Sequence, residues 1–165
     1  MSNNLARVSV IDASEWERLR DIRLRSLLVD PDAFGGKFES ENLLTQEDWQ
    51  ARIAKSDWLI ASVDGLAVAL MSVEVLEGDH GATCWIGGCW SDPKYRGTGA
   101  FRRLFEFLDV NAPSKGWERQ GLGVWADNSE AIGAYKALGF EFAGEIQPSA
   151  RQPDRFYVHM VRNSK

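Results

Sequence analysis

Residues 96–99 read Arg-Gly-Thr-Gly and stand between a strand-like segment and a helix-like segment. The apolar run 82–90 predicts a strand, and Pro93 ends it because proline cannot donate to a sheet ladder. After the glycines, apolar residues recur at the spacing of one helix face: Phe101, Leu104, Phe105 and Leu108. The sequence therefore predicts a strand, a glycine turn and a helix in direct succession.

A glycine turn at the start of a helix offers hydrogen-bond donors to an anion. The first backbone N–H groups of a helix have no partner within the helix, and the helix dipole makes this end positive. Arg96 adds a fixed charge whose planar guanidinium binds oxyanions through paired donors. This chemistry suits a phosphate or pyrophosphate. The alternative is an ordinary connection in which Gly97 and Gly99 only make the turn.

Two other phosphate-binding motifs do not fit this chain. A dinucleotide fold needs a third glycine in G-x-G-x-x-G, but Arg102 stands at that position. The stretch also lies in the middle of the chain instead of in a first βαβ unit. No G-x-x-x-x-G-K-[ST] run occurs in the sequence, which excludes a nucleotide triphosphate loop of that kind.

Length and composition are those of an ordinary globular protein. With 165 residues, 44% of them hydrophobic and 26% charged, we expect one domain over 1–165. The net charge of −5 argues against a nucleic-acid coat and leans toward cationic partners. The sequence shows neither a signal peptide nor an apolar run long enough to span a bilayer. We therefore expect a soluble, cytoplasmic protein that binds neither nucleic acid nor membrane.

The cysteines and histidines are too few for a metal centre. Cys84 and Cys89 lie in one predicted strand, about 16 Å apart at about 3.3 Å per residue. A disulfide needs Cα atoms within about 7 Å, so we expect no bridge between them. His80 and His159 are the two histidines of the sequence, and no Cys/His cluster accompanies them. We expect no metal and interpret both histidines as structural or solvated.

The amino-terminal third predicts a strand followed by two helices. After a short strand over 7–11, Ser14 and Glu17 have the spacing of a capping box. The helix that follows has an apolar side and a polar side, and the polar side is interpreted as a solvated face: Arg18, Arg20, Arg23 and Arg25. A long polar connection over 30–44 is typical of functional or mobile loops. Thr45 then caps the second helix.

The rest of the chain predicts an α/β fold with a mixed, mostly antiparallel central sheet flanked by helices. The further strands are placed at 58–63, 66–76, 82–90, 122–125, 141–145 and 156–161. The strands at 82–90 and 122–125 are joined through a helix, which makes them a parallel pair. Ligands of open sheets bind at the carboxyl ends of strands. Here those ends are Trp90 and Trp125.

A second informative stretch opens a later helix at Asn128 and ends it at Gly139. Asn128 and Tyr135 are two helical turns apart, so they share one face at about 10 Å. Each has a simpler explanation, since asparagine commonly caps helices and a tyrosine on an apolar face usually belongs to the core.

Taken together, the two stretches resemble the GNAT superfamily of acetyl-CoA-dependent N-acetyltransferases. The family signature Q/R-x-x-G-x-G/A, after a strand and at a helix start, reads here Arg96-Gly97-Thr98-Gly99-Ala100-Phe101. The later pattern N-x-x-A-x-x-x-Y-x-x-x-G-F is met at Asn128, Ala131, Tyr135, Gly139 and Phe140. The run from Arg23 to Phe34 also looks like bacterial members, and the order of elements fits over nearly the full chain.

The resemblance implies acetyl-CoA as acyl donor, with no metal, and the amine of a small molecule or peptide as acceptor. A homodimer is compatible with it. The backbone of one set of residues would hold the pyrophosphate: Arg96, Gly97, Thr98, Gly99, Ala100 and Phe101. The pantetheine arm would lie between the splayed parallel strands and pair with Cys89, Trp90 and Ser91. A backbone N–H there would polarise the thioester carbonyl.

The resemblance also implies roles for side chains. Tyr135 would protonate the departing thiolate, and Asn128 would hold the cofactor arm or the reacting end. The family usually works through direct attack in a ternary complex, which disfavours the alternative of Cys89 as a nucleophile. Phe34 and Glu39, in the long connection, would line the acceptor pocket.

Three departures from the family pattern bear on function. Phe101 replaces a small residue, so its ring must turn into the core or crowd the pyrophosphate. Ser91 replaces the usual valine, although only its backbone is needed. The 82–90 strand carries no carboxylate, where many relatives have the general base that takes the ammonium proton. Glu74 is the first substitute, with Glu39 or Glu41 as others.

These departures leave two further readings open. The same fold could bind CoA as a sensor or partner module without catalysis. It could also carry a different acyl group, with Trp90 and Trp125 shaping the pocket.

Overall fold

The computed structural model describes residues 5–165. Of these, residues 5–74 and 88–107 form one compact unit, and residues 75–87 and 108–165 form a second. The strands are β1 (Arg7–Val10), β2 (Asp57–Val63), β3 (Leu66–Val75), β4 (Cys84–Ser91), β5 (Arg119–Trp125), β6 (Glu141–Pro148) and β7 (Phe156–Asn163). The helices are α1 (Trp16–Val29), α2 (Phe38–Glu41), α3 (Gln46–Lys55), α4 (Ala100–Lys115) and α5 (Ser129–Ala137).

The strands form a seven-stranded sheet within the described residues, in the order β1-β2-β3-β4-β5-β7-β6. The pairs β1–β2, β2–β3, β5–β7 and β6–β7 are antiparallel, and β4–β5 is parallel. This confirms the predicted α/β class with its mixed, mostly antiparallel sheet. No helix within residues 5–165 is long and apolar enough to cross a membrane.

The first unit contains the predicted hairpin and the helices that pack beside it. Asp64 and Gly65 connect β2 to β3 with φ of 51° and 81°, as a two-residue hairpin turn requires. Its hydrophobic cluster joins α1, α3, β2 and β3 to the end of β4: Ile11, Leu19, Ile22, Leu27, Phe34, Trp49, Trp58, Ile60, Leu70 and Trp90. Trp90, at the carboxyl end of β4, is therefore fixed by a packed core.

Two expectations about α1 are wrong. The capping box is made by Asp12 and Glu15, not by Ser14 and Glu17, and it starts a short 3-10 turn at Ala13–Glu15. The expected solvated face also fails at Arg23, which is buried and paired with a carboxylate 18 residues away. Residue spacing within a helix predicts only local partners, so it could not predict an ion pair with a residue 18 positions away.

The long connection over 30–44 is not uniformly irregular. It holds a 3-10 turn at Pro31–Ala33 and the four-residue α2. Thr45 caps α3 as predicted, because its hydroxyl accepts the N–H of Asp48 while the Asp48 carboxylate accepts the N–H of Thr45.

The second unit is built on the β5–β7–β6 ladder and α5. Gly121 lies under the ring of Trp85, where an added Cβ would approach a ring carbon to 2.5 Å. Gly139 ends α5 with φ of 102°, and Phe140 packs edge-on against Tyr135 at 5.7 Å between ring centroids. The conformation of Gly139 and the packing of Phe140 follow the predicted helix-ending pattern.

Candidate functional site

The glycine turn has the form that anion binding requires. Gly97 and Gly99 have φ of 79° and 91°, angles that favour glycine. A Cβ added at either position would meet nothing within 4 Å, so the turn presents bare backbone to open space. Helix α4 begins at Ala100, directly after the turn. The N–H groups of its first turn have no partner within the helix, and the helix dipole adds positive potential.

Arg96 uses part of its guanidinium within the protein. Its Nε donates to the carbonyl oxygen of Ser91 at 3.2 Å, and its Nη2 donates to Asp30 Oδ2 at 2.9 Å. These two bonds tie the turn to the end of β4 and to the end of α1. Arg96 therefore braces the turn in this structure, in addition to bringing positive charge there.

Asp30 is a site residue that sequence reasoning missed. Its Oδ2 also accepts the indole N–H of Trp90 at 2.7 Å. One carboxylate oxygen thus holds the last core residue of β4 and the first residue of the glycine signature. Asp30 stands 66 residues from Arg96, and the only sequence signal was the Asp-Pro-Asp stop at the end of α1.

Arg25 supports the same region from α1. Its guanidinium lies 5.3 Å from the ring centroid of Trp90 and 3.7 Å from a carboxylate oxygen of Asp92. It also donates to the carbonyl oxygen of Ala67. A residue expected on a solvated face therefore helps to position the end of β4.

The ring of Phe101 packs along α4. It packs edge-on against Phe105 at 5.3 Å between centroids, and Phe105 is fully buried. Phe101 itself stays half-buried, while a Cβ added at Gly97 or Gly99 would meet no side chain within 4 Å. The residues present therefore fit a pyrophosphate held by backbone N–H groups.

Strand β4 has an interruption at Gly88, where φ is 60°. The parallel register joins Cys84, Trp85 and Ile86 to Gln120, Gly121 and Leu122, while β4 continues to Ser91 and β5 to Trp125. We call this interruption the Gly88 kink. The three residues that follow it, Cys89, Trp90 and Ser91, are the ones assigned to the cofactor arm.

Neither Cys84 nor Cys89 forms a disulfide. Burial, with a smaller effect of the Glu118 charge, raises the pKa of the Cys84 thiol to about 12, so this thiol is unreactive at neutral pH. Cys89 is half-buried.

Asn128 and Tyr135 lie on α5, in the second compact unit, whereas residues 96–101 belong to the first. Asn128 is the N-cap of α5, and its Oδ1 accepts the N–H of Ala131 at 3.2 Å. Tyr135 is 8% exposed, with its ring against Phe140. Asn128 therefore caps the helix and Tyr135 is buried, as expected if the two residues have only structural roles. They lie on one helix, two turns apart.

The candidate carboxylates differ sharply in surroundings. Glu39 is exposed, and Glu74 is half-buried on β3, on the strand face that also carries Leu70. Glu41 is buried and accepts hydrogen bonds from Arg23 and Arg52. Burial alone would raise the pKa of Glu41, but these bonds and charges outweigh it and lower the pKa. A carboxylate held in this way is a poor proton acceptor.

The predicted pocket residue Phe34 is also buried, and its ring lies 4.8 Å from the guanidinium carbon of Arg23.

No group of three or more His, Cys, Asp or Glu residues in the described part of the chain could hold a metal ion. His80 and His159 approach each other to 3.4 Å between Nε2 and Nδ1. Burial is the main reason that the pKa of His159 is lowered.

Comparison with solved structures finds the same fold in acetyltransferases. A GNAT-family acetyltransferase from Streptococcus pneumoniae aligns with a TM-score of 0.79 at 16% identity, over 97% of this chain and 99% of that one. A putative acetyltransferase from Salmonella typhimurium, solved with its cofactor acetyl-CoA, aligns at 0.72 and 16%, over 97% and 94%. The ribosomal-protein-S18-alanine N-acetyltransferase from Escherichia coli aligns at 0.69 and 18%, over 98% and 95%.

Identities this low establish the fold alone. A search of curated proteins gives no match. The sequence model of the Acetyltransferase (GNAT) family matches residues 16–140, which include the glycine turn, the Gly88 kink and helix α5 through Phe140. Because that match covers most of the chain, the protein belongs to the GNAT acetyltransferase family.

Proposed function

We propose that this protein is an acetyl-CoA-dependent N-acetyltransferase that acts on the primary amine of a small molecule or a peptide. The observation that carries the proposal is the bare glycine turn at the start of α4, in a chain of the GNAT family. Open backbone donors at a helix start suit a pyrophosphate better than they suit any apolar ligand.

Acetyl-CoA, when bound, supplies an acetyl group activated as a thioester. The backbone of residues 96–101 holds its pyrophosphate, with Gly97 and Gly99 keeping side chains out of the way. Arg96 keeps the turn in place through Ser91 and Asp30 while adding positive charge. The ring of Phe101 packs on Phe105.

The backbone of Cys89, Trp90 and Ser91 holds the pantetheine arm and polarises the thioester carbonyl. Trp90 is 4% exposed and fixed by Asp30, so this backbone is rigid. A rigid donor aimed at a developing oxyanion needs no reorganisation during the reaction. Holding the amine against the thioester replaces a bimolecular encounter and supplies a large part of the acceleration.

Three proton transfers accompany acyl transfer. The acceptor nitrogen forms a bond to the acetyl carbon as the carbon–sulfur bond breaks. The hydroxyl of Tyr135 donates its proton to the departing sulfur, and the proton that the attacking nitrogen loses on becoming an amide returns to the Tyr135 oxygen through water. Asn128 orders the start of the same helix. The ammonium group of the acceptor loses a proton before attack. This proton passes to Glu74 or to water, since the Glu41 carboxylate is paired with two arginines and Glu39 is exposed.

The remaining expectations from the sequence also belong to this proposal. Phe34 and Glu39 are offered as acceptor-pocket residues on the 28–44 segment. A cytoplasmic location, a homodimer and one domain over 1–165 stay predictions. The alternative function is a CoA-binding module without catalysis, and the absence of a carboxylate in β4 is the observation that favours it.

The first experiment is calorimetric titration with acetyl-CoA, with desulfo-CoA and ATP as comparisons, followed by an acetyl-transfer assay on a broad amine panel. We expect one-to-one binding of acetyl-CoA and no binding of ATP, followed by transfer. Binding without transfer to any amine would support the silent module. No binding of acetyl-CoA would reject both functions.

Tyr135→Phe tests the general acid. Removing the hydroxyl should lower kcat by about 10²-fold or more and change the KM for acetyl-CoA little, because the proton is needed only as sulfur departs. Tyr157→Phe is the matched control, since Tyr157 lies in the same unit and bonds Gln147 at 3.2 Å. Equal kcat in the two variants would remove Tyr135 from the acid role.

A further inference from the structure

A buried guanidinium in the first unit has one nitrogen without a partner. Arg23 is 8% exposed, and its Nε and Nη2 donate to the two oxygens of Glu41 at 2.9 and 3.0 Å. Its Nη1 is buried and finds no hydrogen-bond partner among the described residues. Buried polar groups are nearly always satisfied, so an exception of this kind needs a physical explanation.

The charges around this nitrogen do not balance. Glu41 Oε1 also accepts from Arg52 Nη1 at 2.6 Å, so two cations share one carboxylate. The carboxylate is 6% exposed and both its oxygens are occupied. The cluster of Arg23, Glu41 and Arg52 therefore carries one excess positive charge. An anion that reached Arg23 would be bound strongly, because charges attract more in a partly desolvated site than in water.

The unpartnered nitrogen lies close to the Gly88 kink. A Cβ built on Gly88 would lie 3.7 Å from Arg23 Nη1 and 3.3 Å from the ring of Trp58. Glycine at this position, with φ of 60°, leaves the space of about one atom between the cation and the ring. The ring of Phe34 lies against the same guanidinium. Nη1 thus faces a small gap with one charged side and one aromatic side.

The position of the gap relates it to the acyl-transfer segment. Gly88 directly precedes Cys89, Trp90 and Ser91, to which the proposed function assigns the thioester arm. At about 3.3 Å per residue, the gap is only one or two residues from that arm. An acceptor whose nitrogen reaches the thioester can reach Arg23 Nη1 only with an atom very near that nitrogen.

We propose that Arg23 Nη1 binds the carboxylate of the acceptor, and that the acceptors are small amines with a carboxylate next to the amino group, the class of free α-amino acids. The inference rests on the proposed function. One oxygen of that carboxylate enters the one-atom gap and accepts the hydrogen bond of Nη1, and the carboxylate supplies the missing negative charge. Its adjacent ammonium agrees with the acidic balance of the chain as a whole.

The test compares matched trios, each made of an L-amino acid, its amide and its decarboxylated amine. We expect transfer to the amino acid with a KM at least about tenfold below that of the other two, because a hydrogen bond between charged groups is lost in both analogues. An amide that equals the acid would place a neutral carbonyl at Arg23 and overturn the carboxylate. Equal KM across the trio would overturn the subsite altogether.

Variants separate recognition from folding. Arg23→Lys keeps the charge beside Glu41 but loses the planar pair of donors, and should raise KM for the acid alone. Gly88→Ala places a methyl group in the gap, in van der Waals contact with Arg23 Nη1 at 3.7 Å, and should do the same. Arg20→Gln is the control, since Arg20 lies on the exposed side of α1 beside Glu17 and Asp21. Unchanged KM for the acid in both Arg23→Lys and Gly88→Ala would overturn the inference.

Direct binding distinguishes failure of the inference from failure of the proposed function. Each trio is titrated calorimetrically into the protein saturated with desulfo-CoA. Selective binding of the acid that is lost in Gly88→Ala supports the subsite even if no transfer occurs, in which case only the catalytic proposal fails. Absence of acid-selective binding, with transfer to amines intact, overturns the subsite and leaves the catalytic proposal standing.

Discussion

Two arginine–carboxylate clusters of the first unit differ mainly in burial. The buried cluster is Arg23, Glu41 and Arg52, and the turn cluster is Asp30, Trp90 and Arg96. In the buried cluster the side chains of Arg23 and Glu41 are 10% and 7% exposed. In the turn cluster those of Arg96 and Asp30 are 38% and 28% exposed. The same pair of functional groups therefore works in two different dielectric surroundings.

This difference in burial predicts different roles for the two clusters, one in stability and the other in positioning. Removing one partner of a buried pair leaves the other charge without compensation, which is costly. Removing one partner of a half-exposed pair lets water take its place, so the cost in stability is small. The buried cluster should hold the fold of the α1–α3 region, while the turn cluster should hold only the geometry of the turn.

Glu41→Gln should give the largest effect. It keeps the shape of the side chain but leaves Arg23 as a buried cation, and should lower the free energy of unfolding by about 3–5 kcal/mol. Asp30→Asn is the matched variant in the turn cluster and should cost less than about 1 kcal/mol. Urea unfolding followed by fluorescence measures both. Equal losses would break the distinction between the clusters.

The pH dependence of stability sharpens the same distinction. The pKa of Glu41 is lowered in the folded state, so its contribution is complete above its ordinary value of about 4.3 and is lost as pH falls through the folded value. The stability difference between the unmodified protein and Glu41→Gln should therefore be largest near pH 7 and should shrink below pH 4. A difference that stays constant down to acid pH would mean that Glu41 is not an ionised partner of Arg23.

The two clusters also mark what the sequence could and could not reveal. The glycine turn and the Asn128–Tyr135 helix were predictable because their partners lie within a few residues, where spacing fixes geometry. Thr45 and its helix were predictable for the same reason. Asp30 was not, because its partners Trp90 and Arg96 are 60 and 66 residues away. Such partners meet only after the sheet and α1 have packed.

A regular pattern also misled at specific residues. Arg23 follows the polar spacing of α1, yet it is buried because Glu41 and Phe34 cover it. The box predicted at Ser14 and Glu17 lost to Asp12 and Glu15, which have the same spacing two residues earlier. The Gly88 kink had a signal in the Gly87-Gly88 pair, but two glycines in a strand do not say which one leaves the extended conformation.

Asp30→Ala tests the turn cluster through its effect on cofactor binding. Loss of the carboxylate releases Arg96 and the Trp90 indole, which should raise the KM for acetyl-CoA about fivefold, the equivalent of about 1 kcal/mol. Acetyl-pantetheine has no pyrophosphate, so its KM should rise less, only by the part that comes from the Trp90 segment. Asp30→Asn keeps an acceptor for Trp90 and Arg96, so its KM for acetyl-CoA should lie between those of the unmodified protein and Asp30→Ala. Removing a negative charge would by itself favour a polyanionic donor. A lower KM for acetyl-CoA in both variants would therefore show that Asp30 competes with the pyrophosphate for Arg96 instead of positioning it.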